Sequence, residues 1–115
     1  MLFDSKSFGV MRSGLEGLAI QQQAILHNLA NLETPGYKTK SVSFKDVLGG
    51  ESGRYDLKAY IETDDATSIR PDGNNVDADT ESLKLYQNYV QQLYLYQKIS
   101  GQFTNFRYVL NQSTK

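Results

Sequence analysis

The chain has 115 residues, with 12 basic and 13 acidic side chains giving a net charge of −1. That length suits one domain with a barely self-sufficient core, and the charge balance lacks the basic excess of a nucleic-acid binder. Cysteine is absent and His27 is the single histidine, which excludes disulfides, thiolate zinc sites, a cysteine nucleophile and a multi-histidine site.

Residues 1–8 show no basic segment leading into an apolar one, so no cleavable secretory signal is expected. No stretch approaches the roughly 18 apolar residues of a membrane span. The default expectation is a soluble cytosolic chain, unless export uses an uncleaved signal.

Charge distribution is more informative than net charge. Residues 8–32 carry only Arg12 and Glu16, residues 83–111 only Lys84, Lys98 and Arg107, while 17 charges crowd residues 33–82. The polar positions of the flanks are mostly amides, Gln21, Gln22, Gln23, Asn28 and Asn31 first, then Gln87, Asn88, Gln91, Gln92, Gln97, Gln102 and Asn105. A helix facing water on one side keeps charge there; amides lose their water more readily once hydrogen-bonded. The pattern points to helices packed on several sides by other chains, against the plainer reading of a weakly charged two-helix protein.

In the first flank, Phe8, Met11, Leu15, Leu18, Gln22, Ile25, Leu29 and Leu32 recur at alternating steps of three and four, a heptad seam with one polar member. About 25 helical residues would span roughly 37 Å. Gly9, Gly14 and Gly17 weaken the first half by about 1 kcal/mol each relative to alanine, so fraying is expected there. Pro35 disfavours helical geometry at Thr34, so the N-terminal helix is read over 8–33. Thr34-Pro35-Gly36-Tyr37 fits a type II turn, with glycine supplying the positive φ.

The centre, 34–76, reads as turn and small irregular or β structure. Tyr55, Leu57, Ala59 and Ile61 alternate with charged residues, which predicts one strand, with a hairpin partner in 41–48 or 66–70. Phe44, Val47 and Leu48 suit either a helical turn or an extended piece. Asp72-Gly73-Asn74-Asn75 reads as a turn and Asp77 and Asp79 as capping acids. A calcium-loop reading of this tract fails in both registers, because Val76 or Ser82 falls where ligand or glycine is needed.

The C-terminal helix is read over 77–112. Leu83, Tyr86, Val90, Leu93, Tyr96, Ile99, Phe103, Phe106 and Leu110 form its stripe, with a stammer of three consecutive three-residue steps. Tyr89 and Tyr94 lie off it and mark a second apolar face. The simplest expectation is that this stripe meets the N-terminal seam, within one chain or between chains. The fold class is therefore mainly α: two long amphipathic terminal helices in a coiled-coil-like pair around a small irregular or β segment, one domain over 1–115.

No enzyme motif emerges. Asp64 and Asp65 are adjacent and would diverge, His27 beside the seam reads as an interface or surface imidazole, and no nucleophile or phosphate loop is visible. No cofactor is expected.

One combination is more specific than its parts. The run from Asn28 to Lys38 (Asn28-Leu29-Ala30-Asn31-Leu32-Glu33-Thr34-Pro35-Gly36-Tyr37-Lys38) resembles the signature of bacterial flagellar rod and hook proteins. In these, a helix ends in Asn-(Ile/Leu)-Ala-Asn, followed by two variable residues and Thr-Pro-Gly-Tyr. The tract Asp72–Glu81 and a C-terminal aromatic helix ending Val109-Leu110-Asn111 resemble the proximal rod proteins of the FlgB type. Distal rod and hook proteins have larger centres, and the FlgC type ends in an Asn-Val-Asn and Glu-Glu-Met pattern that is missing here. The resemblance covers 8–38 and 71–111.

It implies a structural subunit of the flagellar basal-body rod, exported through the flagellar type III apparatus without signal cleavage, whose partners are copies of itself and other rod and basal-body proteins. It marks Asn28, Ala30, Asn31, Thr34, Pro35, Gly36 and Tyr37 as family-motif residues. Assembly contacts are expected at Met11, Leu15, Leu18, Ile25, Leu29 and Leu32, and at Leu83, Tyr86, Val90, Leu93, Tyr96, Ile99, Phe103, Phe106 and Leu110. The other reading from the residues is a stand-alone helical-hairpin binding module or chaperone-like protein, which would be a stable monomer with a discrete groove.

Overall fold

The computed structural model describes residues 6–49, 54–65 and 70–113. Helix α1 spans Lys6–Ala30, strands β1 and β2 span Lys40–Gly49 and Arg54–Thr63, and helix α2 spans Ala78–Ser113. The molecule measures 70 × 31 × 14 Å. Its long axis follows from α2, whose 36 residues reach about 54 Å at 1.5 Å each.

The strand expected around 55–62 is present, and its partner is 40–49, paired antiparallel with Val42 opposite Ile61 and Phe44 opposite Ala59. Of the other candidate partner segment, 66–69 lie outside the described residues. Period-two geometry puts Val42, Phe44, Ala59 and Ile61 on one face and Ser43, Lys45, Lys58 and Tyr60 on the other. On the second face, the like charges of Lys45 and Lys58 sit opposite each other, and both ammonium groups lie over the Tyr60 ring, at 4.9 and 5.8 Å. The first face packs on α1. The ring of Phe44 fills the space where a Cβ on Gly17 would come within 2.2 Å of it. A glycine that weakens the isolated helix is thus where hairpin and helix approach most closely.

α1 and α2 pack antiparallel. Asn28 meets Glu81 at one end, Asn88 bonds Leu18 and Gln21 in the middle, and Gln102 bonds Ser7 at the other. The α1 seam lies inward: Met11, Leu18 and Ile25 are buried, and Leu15, Leu29 and Leu32 are half-buried.

The expected partner stripe meets it only at Ile99 and at Phe103, whose ring lies edge-on to that of Phe8 at 6.2 Å. Leu83, Tyr86, Val90, Leu93, Tyr96, Phe103, Phe106 and Leu110 are all exposed, and only Ile99 is half-buried. α2 instead turns Glu81, Leu85, Asn88, Gln92, Leu95, Ile99 and Gln102 toward α1, itself a heptad but largely polar. The amides of Asn88 and Gln92 are paired there. Asn88 Nδ2 donates to Leu18 O (2.8 Å) and Gln21 Oε1 (2.9 Å), and Gln92 Nε2 donates to Asn88 Oδ1 (2.6 Å) and Gln22 Oε1 (3.2 Å). Gln22, the polar member of the α1 seam, thereby has its partner. Paired amides can be buried at little net loss, so hydrophobicity alone misidentified the inner face.

Candidate functional site

The family-motif residues form a hydrogen-bonded junction where α1 ends, β1 begins and α2 starts. The four largest side chains with under 2 % exposure are Glu81, Asn28, Asn74 and Asn88, and three of these lie in the junction.

Asn28 is its hub. Its Nδ2 donates to Lys40 O (2.7 Å) and Glu81 Oε2 (3.0 Å), while its Oδ1 accepts from Tyr37 Oη (2.8 Å) and Lys40 N (3.0 Å). Two donors and two lone pairs are thereby all used. One side chain ties the helix end, the turn, the first strand and the second helix together. Glu81 shares its buried carboxylate with Lys84 at 3.3 Å. Tyr37 has one hydroxyl proton and gives it to Asn28, so its 2.8 Å contact with His27 Nδ1 requires the proton on that ring nitrogen. Burial first, then the negative charge of Glu81, raises the Tyr37 pKa above the ordinary phenol value.

α1 stops at Ala30, three residues before the sequence reading, and Asn31–Glu33 continue as turns. The side chains explain the stop. Asn31 Nδ2 caps His27 O (2.8 Å), and Thr34 Oγ1 donates to Asn31 Oδ1 (3.0 Å). Tyr37 N then bonds Thr34 O, and Gly36 takes φ of 71°, as the type II turn requires. Ala30 and Pro35 are exposed and shape backbone only.

Residues 72–76 run beside this turn. Gly36 N donates to Asp72 O (2.9 Å), Asn75 N to Tyr37 O (3.3 Å) and Lys38 Nζ to Gly73 O (2.7 Å). Asn74 Nδ2 reaches the carbonyls of Asn31, Leu32 and Thr34 at 2.7–3.1 Å, and Arg70 donates to Leu32 O as well. These carbonyls belong to the turn that follows α1, so Asn74 clamps the exit of the helix from about 40 residues away. Asn75 Oδ1 accepts from Thr39 N and Oγ1 (both 2.6 Å), and its Nδ2 donates to Asp64 O (2.8 Å), anchoring both ends of the hairpin.

The turn expected at Asp72–Asn75 begins two residues earlier, closed by Gly73 N on Arg70 O, with Gly73 at φ 85°. Two side-chain turns follow, Asp72 Oδ1 on Asn74 N and Asn74 Oδ1 on Val76 N. Asp77 then caps α2, its carboxylate accepting from Asp79 N and from Thr80 N and Oγ1. The Thr80 hydroxyl bond, then the Thr80 amide, holds its carboxyl below the usual range despite a smaller opposing effect of desolvation.

The sequence reading missed Glu81 as a buried acceptor, and Thr39, Lys40, Asn74 and Asn75 as junction members. The adjacent Asn74-Asn75 before a helix was the available signal. It reads equally as a turn, because its partners are 11 to 43 residues away.

Outside the junction, α2 carries the second notable feature. Twelve large apolar or aromatic side chains on it are 37–66 % exposed, the nine-member stripe less Ile99 together with Tyr89, Tyr94, Tyr108 and Val109. Patches of this extent on soluble proteins mark interaction surfaces. No helix in the described residues is long and apolar enough to cross a membrane.

No family model matches the chain. Among curated proteins it is 34 % identical over 115 residues to the flagellar basal body rod protein FlgB of Bacillus subtilis, covering 87 % of this chain and 89 % of that one. It is 29 % identical to FlgB of Borrelia hermsii over 81 % of both chains, and 29 % identical to FlgB of Borreliella burgdorferi over 64 % of this chain and 73 % of that one. A third of the residues shared along nearly the whole of a FlgB chain, with the asparagine junction built from the motif, establish that this chain belongs to the FlgB family of flagellar basal body rod proteins.

Proposed function

We propose that this chain, a structural subunit of the flagellar basal-body rod, builds the shaft through the outer face of α2 and transmits torque through the packed helices. The observation that carries this is the exposed part of the stripe from Leu83 to Tyr96, on a helix already packed against α1 by another face. In water that stripe gains nothing. Against neighbouring helices each side chain it buries contributes about 1.5–3 kcal/mol. Low charge density suits it to contacts with copies of itself and with other rod and basal-body proteins.

The stripe residues from Leu83 to Leu110 are then contact residues between subunits. The α1 residues Met11, Leu15, Leu18, Ile25, Leu29 and Leu32 serve chiefly within the subunit. The junction holds helices and hairpin at a fixed angle, which a shaft under torsion needs. The whole of 1–115 acts as one rod-protein domain, and the chain reaches the basal body through the flagellar type III apparatus with no cleaved signal. Its role is structural, with no catalytic step and no cofactor.

The test is Leu93→Asp. Leu93 is 42 % exposed, so the variant should keep the helical circular dichroism of the parent while cells carrying it lose motility and rods. A folded, fully motile variant would overturn the assignment of this face.

A further inference from the structure

The outer face of α2 is asymmetric in size and in charge. On the side away from α1, its first half carries large side chains, Tyr86 at 66 %, Tyr89 at 59 % and Val90 at 45 % exposure. Its second half carries a shallow groove that begins between Leu93 and Tyr96 and is lined beyond them by Gln97, Ser100, Gly101, Thr104 and Asn105. A Cβ placed on Gly101 would meet nothing within 4 Å. Knobs and groove lie in line on one helix, so they cannot meet within one chain.

Charge is divided in the same direction. Asp77 and Asp79 flank the start of α2, Lys98 and Arg107 lie along its later part, and no acidic residue follows Glu81. Asp79 and Arg107 fall on this same side of the helix at 100° per residue, and neither side chain has a partner among the described residues.

We infer that the outer face of α2 docks a second copy of itself, antiparallel and across a two-fold axis near residue 95, each copy seating its Tyr86–Val90 knobs in the other's Ser100–Thr104 groove. In that register Tyr86 faces Thr104, Tyr89 packs beside Ser100 and Val90 lies level with Ser100. Arg107 comes within about one helical turn of the other copy's Asp79, and the contact occurs twice. Charge selects this arrangement. A parallel pair in register sets Asp79 against Asp79 and knobs against knobs, and a parallel pair displaced by some 12 residues fills the groove but leaves both charges unpaired. The antiparallel pair is closed, so it occupies the face that the rod reading assigns to assembly. That consequence rests on the rod reading, whereas the dimer itself does not.

The experiment uses the full chain, whose lack of cysteine permits single-site disulfide trapping. Val90→Cys and Ser100→Cys, mixed under mild oxidation, should give the mixed disulfide dimer, while either alone should not, since like positions lie about 15 Å apart along the axis. Sedimentation should show a monomer–dimer equilibrium. Gly101→Leu, which fills the groove and favours helix, should weaken dimerisation about tenfold or more without loss of helical signal. Self-crosslinking of either variant alone, a strict monomer to about 100 µM, or a Gly101→Leu dimer as tight as the parent would each overturn the inference. Motility of Leu93→Asp cells is read separately, so an absent dimer with non-motile cells defeats this inference and leaves the rod reading standing, and the reverse result does the opposite.

Discussion

Replacing Asn28 by alanine is the sharpest probe of the junction. The side chain is wholly buried and satisfies four partners at 2.7–3.0 Å. The partners do not suffer equally. Glu81 is about as buried and charged, and keeps only Lys84, so losing its amide donor costs about 1.5–3 kcal/mol. The amide and carbonyl of Lys40 and the hydroxyl of Tyr37 are half-buried, and water recovers part of what they lose, leaving about 0.5–1 kcal/mol each. The expected total is about 3–6 kcal/mol, a large share of the 5–15 kcal/mol typical of a whole domain. Asn28→Asp keeps the shape and should be worse at neutral pH, because its carboxylate takes the place of a donor 3.0 Å from the Glu81 oxygen. Sharing a site raises a carboxyl pKa in the folded variant. Stability is then present below the ordinary carboxyl value of about 4 and is lost as pH rises through the folded one. Urea unfolding followed by circular dichroism, from pH 4 to 8, measures both effects. An alanine variant within about 1 kcal/mol of the parent, or an aspartate variant whose deficit does not shrink in acid, would refute the hub assignment.

Gly17→Ala should destabilise despite its helix propensity, since displacing Phe44 costs about 1–3 kcal/mol against a gain of about 1; in a Phe44→Ala background the same change should stabilise, and thermal melts of the four proteins decide it. Gly36→Ala meets no atom within 4 Å, so its cost is conformational alone, about 1–2 kcal/mol, and Gly36→Asn should recover most of it in the same melts. The Tyr37 phenol should titrate later than exposed tyrosines when absorbance at alkaline pH is compared between the parent and Tyr37→Phe. With its folded pKa raised, its contribution to stability is present below about pH 10 and is lost as pH rises through the folded value.

Much of this protein is written in local pattern. The two helices, the positive φ at Gly36, the Asp77 cap and a strand near 55–62 each follow from spacing or from residue types with narrow conformational preferences, which act within a few residues. The Asn28–Tyr37 run carried the family because several such residues occur together. Other choices needed the tertiary structure, because they depend on partners far along the chain. Which α2 face meets α1 was decided by amide pairs such as Asn88 with Leu18 and Gln21, and a hydrophobicity count ranks that face below the stripe it leaves outside. The turn after α1 is held by Asn74, 40 residues beyond Thr34, and Glu81 is buried because Asn28, 53 residues earlier, supplies a donor. Hydrophobic burial is non-directional and shows in periodicity. A buried polar group is stable only where a partner lies at hydrogen-bonding distance, and folding alone brings such partners together.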